Sequence, residues 1–180
     1  MNEVKQNVSD TMVELMHKKS IDKITVKELV EQSGISRQAF YYHFKDILDV
    51  IEWTFEKNVK RIAKNCAEIE DKQSSIKSFA DEITEHYPEM RRLLNSKLRA
   101  ETEMILLRSA RHFCNLIIES KFSDYVISKE EKDFMVDFFS CGMTAFFAEK
   151  CMSSKPTDTE TFSREMYRLV ISRINFQDSD

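Results

Sequence analysis

The chain has 180 residues, of which 42% are hydrophobic and 32% charged, the balance of an ordinary soluble globular protein and not of a disordered one. It contains only two Gly and two Pro, too few turn formers for a sheet-rich fold, so long helices joined by short polar connections are expected. A formal charge of −4 gives no long-range attraction for a polyanion, so nucleic-acid binding would need a local arrangement of basic groups.

In chain order, Val4, Val8, Met12, Leu15 and Met16 recur at the spacing of one helical face. Lys18, Lys19 and Ser20 interrupt that pattern. Thr25-Val26-Lys27-Glu28 is a capping-box signature and predicts a helix running to about Ser33. Gly34 supplies a residue that tolerates a left-handed turn, and Ser36 is a good N-cap for a helix over residues 37–43. Asp46 caps a long helix carrying Leu48, Ile51, Phe55, Val59 and Ile62, which ends as the chain turns polar over residues 71–75.

The next stripe is Ile76, Phe79, Ala80, Ile83 and Tyr87, expected to close at Pro88, with a short helical turn over residues 90–94. Leu98, Thr102, Ile105, Leu106, Phe113, Leu116 and Ile117 describe another long helix. Ser128-Lys129-Glu130-Glu131 is a second capping box, opening a Phe-rich helix over residues 129–152. Lys155-Pro156 breaks it, Thr157-Asp158-Thr159-Glu160 is a third capping box, and the last helix spans residues 158–175 with Phe162, Met166, Leu169, Val170 and Ile174. The tail over residues 177–180 is expected to fray.

The most informative segment is residues 24–45. Two short helices meet at a tight turn containing Gly34, which is helix-turn-helix spacing; the second helix of such a unit enters the DNA major groove. Ile24, Val26, Leu29, Val30, Ile35, Phe40 and Phe44 can form its interior. The remaining face offers Ser36, Arg37, Gln38, Tyr41 and Tyr42, with His43 at its end and Lys27 and Lys45 on its flanks. Arg suits guanine, Gln suits adenine, and Tyr hydroxyls and helix N-termini bind phosphate. Residues 1–50 hold seven Lys/Arg against eight Asp/Glu, yet residues 36–45 hold no acid at all.

The runs Ile24-Thr25-Val26-Lys27-Glu28-Leu29, Ser33-Gly34-Ile35-Ser36 and Phe40-Tyr41-Tyr42-His43-Phe44-Lys45-Asp46 resemble the N-terminal signature of the tetracycline-repressor (TetR) family. The resemblance covers about a quarter of the chain. It implies an all-α fold: an N-terminal three-helix helix-turn-helix DNA-binding domain over residues 1–46, and a C-terminal helical dimerisation and effector domain over residues 47–180. Carried across position by position, Thr25 and Lys27 would touch the DNA backbone and Arg37 and Gln38 would read bases. Tyr41, Tyr42 and His43 would hold phosphates or reach base edges, and Lys45 would hold phosphate. Ile47 stands where the family often has Lys, and Val30 and Ser33 replace alanines common in the first motif helix.

The expected function is therefore a sequence-specific, homodimeric transcriptional repressor acting on a palindromic double-stranded operator and relieved by a small-molecule or protein effector. The alternative is a TetR-like co-regulator or adaptor that binds another protein and binds DNA weakly, a reading motivated by the neutral head and Ile47. Homodimerisation is expected through helices 129–152 and 158–175, pictured as an antiparallel pair; Gly142 and Ala145 would let a second copy approach. The effector would act through the helix of residues 46–70. His86, Tyr87, Arg108, Arg111, His112 and Phe113 stand out in the middle helices without forming an assignable ligand site.

No apolar run approaches the roughly 18 residues a membrane span needs, and the N-terminus lacks a secretory pattern, so the expected location is cytoplasmic. Cys66, Cys114, Cys141 and Cys151 are widely spaced, with no CxxC or His/Cys cluster, so no metal or cofactor is expected. They are read as reduced thiols, with a redox or electrophile sensor as the alternative. Neither a nucleophile–base motif nor a phosphate-cradling Gly loop is present, so no enzyme is expected.

Overall fold

A computed structural model describes residues 2–121, 123, 128–153 and 158–174. The described residues form helices and no strands: α1 Asn2–Lys18, α2 Val26–Ser33, α3 Arg37–His43, α4 Ile47–Glu68, α5 Lys72–Glu85, α6 Tyr87–Leu94, α7 Arg99–Lys121, α8 Lys129–Met152 and α9 Thr159–Ile174. A 3-10 turn at Ile21–Lys23, absent from the sequence reading, joins α1 to α2 and is capped by the Ser20 hydroxyl.

The helix ends follow from short polar side chains. Thr25 Oγ1 accepts from Glu28 N at 3.2 Å and Ser36 Oγ from Ala39 N at 3.0 Å. The Glu28 carboxylate does not complete a capping box; it pairs with Lys19 instead. Gly34 has φ +66°, and the amides of Gly34 and Ile35 bond back to the carbonyls of Glu31 and Val30, the Schellman ending that wants glycine. Asp46 accepts from Asp49 N, and Asp49 reaches back to Lys45 N, both at 2.9 Å. At α8 both arms of the box form, Ser128 N to Glu131 at 2.9 Å and Glu131 N to Ser128 Oγ at 3.2 Å. At α9 the cap is Asp158, whose carboxylate accepts from the amides of Glu160 and Thr161. Thr157, the expected Lys155-Pro156 break and the tail lie outside the described residues, as do the side chains of Val170 and Ile174.

The first core fills the space between α1, α2, α3 and the start of α4. Val8, Met12, Leu15, Leu29, Phe40, Phe44, Val50 and Ile51 are buried there. Burying side chains of this size stabilises the fold by about 1.5–3 kcal/mol each. Asn7 donates to the carbonyl of Ser33 at 2.7 Å and the Ser9 and Thr54 hydroxyls meet at 2.8 Å, which ties α1 to both α2 and α4. Ser33 donates to the carbonyl of Leu29 at 2.6 Å, so a hydroxyl where alanine is common is satisfied within its own helix. Ile47 packs against this core. Trp53 sits at the edge of the same junction, with the Phe44 ring 6.2 Å away and the Lys5 and Lys57 ammonium groups 6.0 and 5.9 Å from its centroid.

The second core is smaller: Ile62, Cys66, Phe79 and Phe147, with Ile83, Phe113, Ile117, Met143, Phe146 and Phe162 partly buried around it. Phe79 and Phe113 stack at 4.4 Å. Ser75 donates to the carbonyl of Cys66 at 2.8 Å, and Arg61 binds both oxygens of Glu82 at 2.8 Å, clamping α4 to α5. Arg91 of α6 donates to the carbonyls of Cys151 and Ser153 at 2.5 and 2.6 Å, satisfying free groups at the end of α8.

Three expectations are corrected. Pro88 does not close a helix; it stands in the first turn of α6, where its missing N–H is harmless. Tyr87 therefore belongs to α6, and the turn expected over residues 90–94 is a helix from Tyr87 to Leu94. The helices of residues 129–152 and 158–175 are not an intimate antiparallel pair within the chain. α8 lies mainly along α7 and α9 along α5, and they meet where Phe162 contacts Phe146 and Phe147 at 5.2 and 6.4 Å.

Candidate nucleic-acid interface

α3 is a short helix held from below. Phe40 and Phe44 point inward and leave no measurable or almost no surface, 0% and 2% exposed, with ring centroids 5.8 Å apart. That seating sends the intervening residues outward. Ser36, Arg37, Gln38, Tyr41, Tyr42 and Lys45 are all exposed, and His43 is half-buried. Tyr42 is 76% and Tyr41 60% exposed, unusual for rings of this size, and neither is needed by the core. Tyr41 lies edge-on to Phe40 at 5.3 Å and Tyr42 edge-on to His43 at 4.9 Å, so each ring is steered by a neighbour while its hydroxyl faces water.

Thr25 and Lys27 are exposed at the start of α2. Lys27 has Glu31 3.9 Å away on its own helix, a loose pair between two well-exposed groups that leaves the ammonium free to exchange partners. The acids closest in sequence to Lys45, Asp46 and Asp49, are engaged in capping α4. The sequence-selected residues are thus exposed on α2 and α3 and at their ends, apart from His43, which is half-buried. Arginine, glutamine and tyrosine on one exposed helix face can bond base edges and phosphates.

The body of the molecule holds a second feature. A cavity of about 170 Å³ lies between α1, α4, α5, α6, α7 and α8, and a neighbouring one of about 130 Å³ shares Phe79, Phe113 and Met143 with it. Of the middle-helix residues singled out by sequence, His86, Tyr87 and Phe113 line the larger cavity. Arg108 pairs with Glu52 at 2.6 Å, and Arg111 with Asp137 at 3.0 Å on the surface. Sequence reasoning missed Glu89, which lines the cavity, and missed that Met12, Val13 and Met16 of α1 form part of its wall. The periodicity of α1 showed a buried face without showing that the face serves two interiors.

Among the described residues no cluster of metal-ligating groups occurs, and no helix is long and apolar enough to cross a membrane. Burial pushes the Cys114 and Cys151 thiols up to about 11 and raises Cys66 as well, which disfavours the reactive thiolate at all three. Cys141 is exposed, on the outer face of α8 beside Phe134, Phe138, Gly142 and Ala145.

Residues 10–52 match the family model of bacterial regulatory proteins, tetR family, and residues 70–172 match a transcriptional regulator C-terminal region. A comparison with curated protein sequences finds no match. Among solved structures, the dihydroxyacetone kinase operon activator DhaS superposes with a TM-score of 0.73 at 16% identity, over 97% of this chain and 98% of that one. The TetR family repressor AlkX from Dietzia sp. strain DQ12-45-1b, implicated in biodegradation of n-alkanes, gives 0.69 at 13% identity over 94% and 96%. The fatty acid degradation regulator FadR from Bacillus halodurans gives 0.58 at 13% over 92% and 93%. At these identities the likeness concerns the fold.

Proposed function

We propose, from the premise that this chain belongs to the TetR family of bacterial transcriptional regulators, that it is a homodimeric, operator-binding repressor released by an effector held in its C-terminal body. The observation that carries the DNA reading is the outer face of α3, where Arg37, Gln38, Tyr41 and Tyr42 are exposed on a helix anchored by fully buried rings. Arg37 and Gln38 read base edges; Thr25, Lys27, Ser36, Tyr41, Tyr42, His43 and Lys45 hold phosphates or reach neighbouring bases. Residues 1–46 form the reading head and residues 47–180 the dimerisation and effector body.

The dimer is supported by the outer face of α8. Phe134 and Phe138, 69% and 61% exposed, stack at 6.0 Å in line with Cys141, Gly142 and Ala145. An apolar stripe of this kind, with large rings toward one end and small residues toward the other, suits the same helix of a second copy. α9, the other helix of the proposed interface, exposes Leu169, 49% accessible. The direction of regulation is proposed as repression; the structural neighbours include both an activator and a repressor.

Selection of duplex DNA from a random library at two salt concentrations tests this. A palindrome with half-sites about one helical turn apart, or a near multiple, is expected, with binding that falls steeply with salt. Arg37→Ala and Tyr42→Ala are each expected to weaken the selected site by about 1–3 kcal/mol while leaving the oligomeric state unchanged. Wild-type affinity in both variants would remove α3 as the reading face. Recovery of no consensus would favour the adaptor reading, which draws on the near-neutral first fifty residues and on Ile47 packing inward in place of a phosphate-binding lysine.

A further inference from the structure

The larger cavity is almost wholly apolar, walled by methionine, phenylalanine and aliphatic side chains. Its volume of about 170 Å³ is close to that of an engineered protein cavity, about 150 Å³, that takes up benzene. Against that background its few polar groups decide what can enter. Thr54 and Thr144 are spent on the carbonyls of Val50 and Ser140, at 2.7 and 2.8 Å. No Lys or Arg lines it among the described residues.

Asn58, Tyr87 and Ser109 also stand in the wall, and two further wall residues, Glu89 and His86, each hold a buried atom without a partner. Glu89 uses Oε1 on His17 Nε2 at 3.0 Å, while Oε2 is buried with no hydrogen-bond partner among the described residues. His86 Nε2 is in the same condition. A carboxylate oxygen only accepts, and leaving it dry and unpaired is unfavourable. The complementary guest is an apolar body with a hydrogen-bond donor at one end. A guest ending in a carboxylate would meet Glu89 with no Lys or Arg beside it.

We propose that this cavity binds a small apolar molecule bearing an amine or hydroxyl donor, with the donor on Oε2 of Glu89. As an effector site this rests on the regulator reading above; as a binding site it stands without it. The same carboxylate grips His17 on α1, and Met12, Val13 and Met16 of α1 form part of the wall, so a guest here touches the head's first helix directly.

Isothermal titration of the DNA-free, full-length protein with four ligands of one shape tests the inference separately from DNA binding. These are 2-phenylethylamine, 2-phenylethanol, ethylbenzene and phenylacetate. The expected order is amine tightest, then alcohol, then ethylbenzene, with no saturable binding of phenylacetate. Glu89→Gln is expected to weaken the amine about tenfold or more and ethylbenzene less than about threefold. Phenylacetate binding as well as the amine would overturn the proposal and move the anchor to His86. An unchanged amine affinity in a folded Glu89→Gln protein, or no binding of any of the four, would overturn it as well. Should that variant fail to fold, Ala110→Leu fills the cavity from α7 and is expected to abolish binding of amine and ethylbenzene alike; retained binding would place the ligand elsewhere and defeat the assignment.

Discussion

The head and the body are both built from helices, but to different tolerances. Of the twelve largest side chains with essentially no exposure, eight, among them Phe40, Phe44, Met12 and Leu29, come from the first fifty residues. Among the described phenylalanines of the body only Phe79 and Phe147 are buried, and two cavities open beside Phe79. Close packing forces a unique geometry, whereas slack lets side chains find several. A surface that must meet a fixed groove gains from the first, and a pocket or self-complementary face that must adapt gains from the second.

Four experiments break or sharpen that contrast. The largest effect is expected from Phe40→Ala, about 3–5 kcal/mol by urea unfolding, against roughly half that for Phe79→Ala, whose ring already borders empty space. Equal losses would erase the difference between the two interiors. Next, Phe138→Glu places a charge in the exposed stripe of α8 and is expected to raise the dissociation constant of the proposed dimer by about 100-fold, with the helical signal unchanged. Light scattering reads this directly, and a dimer that persists would shift the interface off α8.

Capping should not respect the contrast at all. Ser36→Ala in the head and Asp158→Ala in the body each remove one set of side-chain bonds at a helix start; the first is expected to cost about 1 kcal/mol and the second to lower the unfolding midpoint in the same sense. A much larger loss at Ser36 would mean that the head amplifies local damage. The smallest effect concerns pH. The hydrogen bonds from Arg61 hold the Glu82 carboxyl below its usual range. Its contribution is thus present above the ordinary carboxylate value and fades as pH falls through the lowered one. Arg61→Met is expected to lose a few tenths to about 1 kcal/mol near pH 7 and to match the native protein in strong acid. A gap that survives in acid would make the arginine's role one of packing.

The same contrast decided what could be read from the sequence. Thr25, Gly34, Ser36, Asp46 and Ser128 act on atoms within five residues of themselves, so their chemistry is legible locally. The α3 surface was legible for a related reason: two buried rings four apart determine which residues between them must face outward. Pro88 misled because proline ends one helix and starts another with equal ease, and only the packing of α6 chooses. The cavity was not legible. Glu89 looks like any surface glutamate until the fold brings His17 of α1, distant in sequence, to one of its oxygens and leaves the other buried. The stripe proposed as a dimer face fell between these cases, since an excess of apolar residues on α8 is visible in the sequence but which of them stay exposed is not.

Trp53 is the chain's one tryptophan, and it stands where α1, α3 and α4 converge, faced by Lys5, Phe44 and Lys57. Ammonium groups and a ring edge at such distances shape the emission of an indole, and every photon excited selectively at the red edge comes from this one seam. The protein therefore carries its own optical gauge of how firmly the reading head is seated on the long helix, readable in solution without a dye, a label or a known operator.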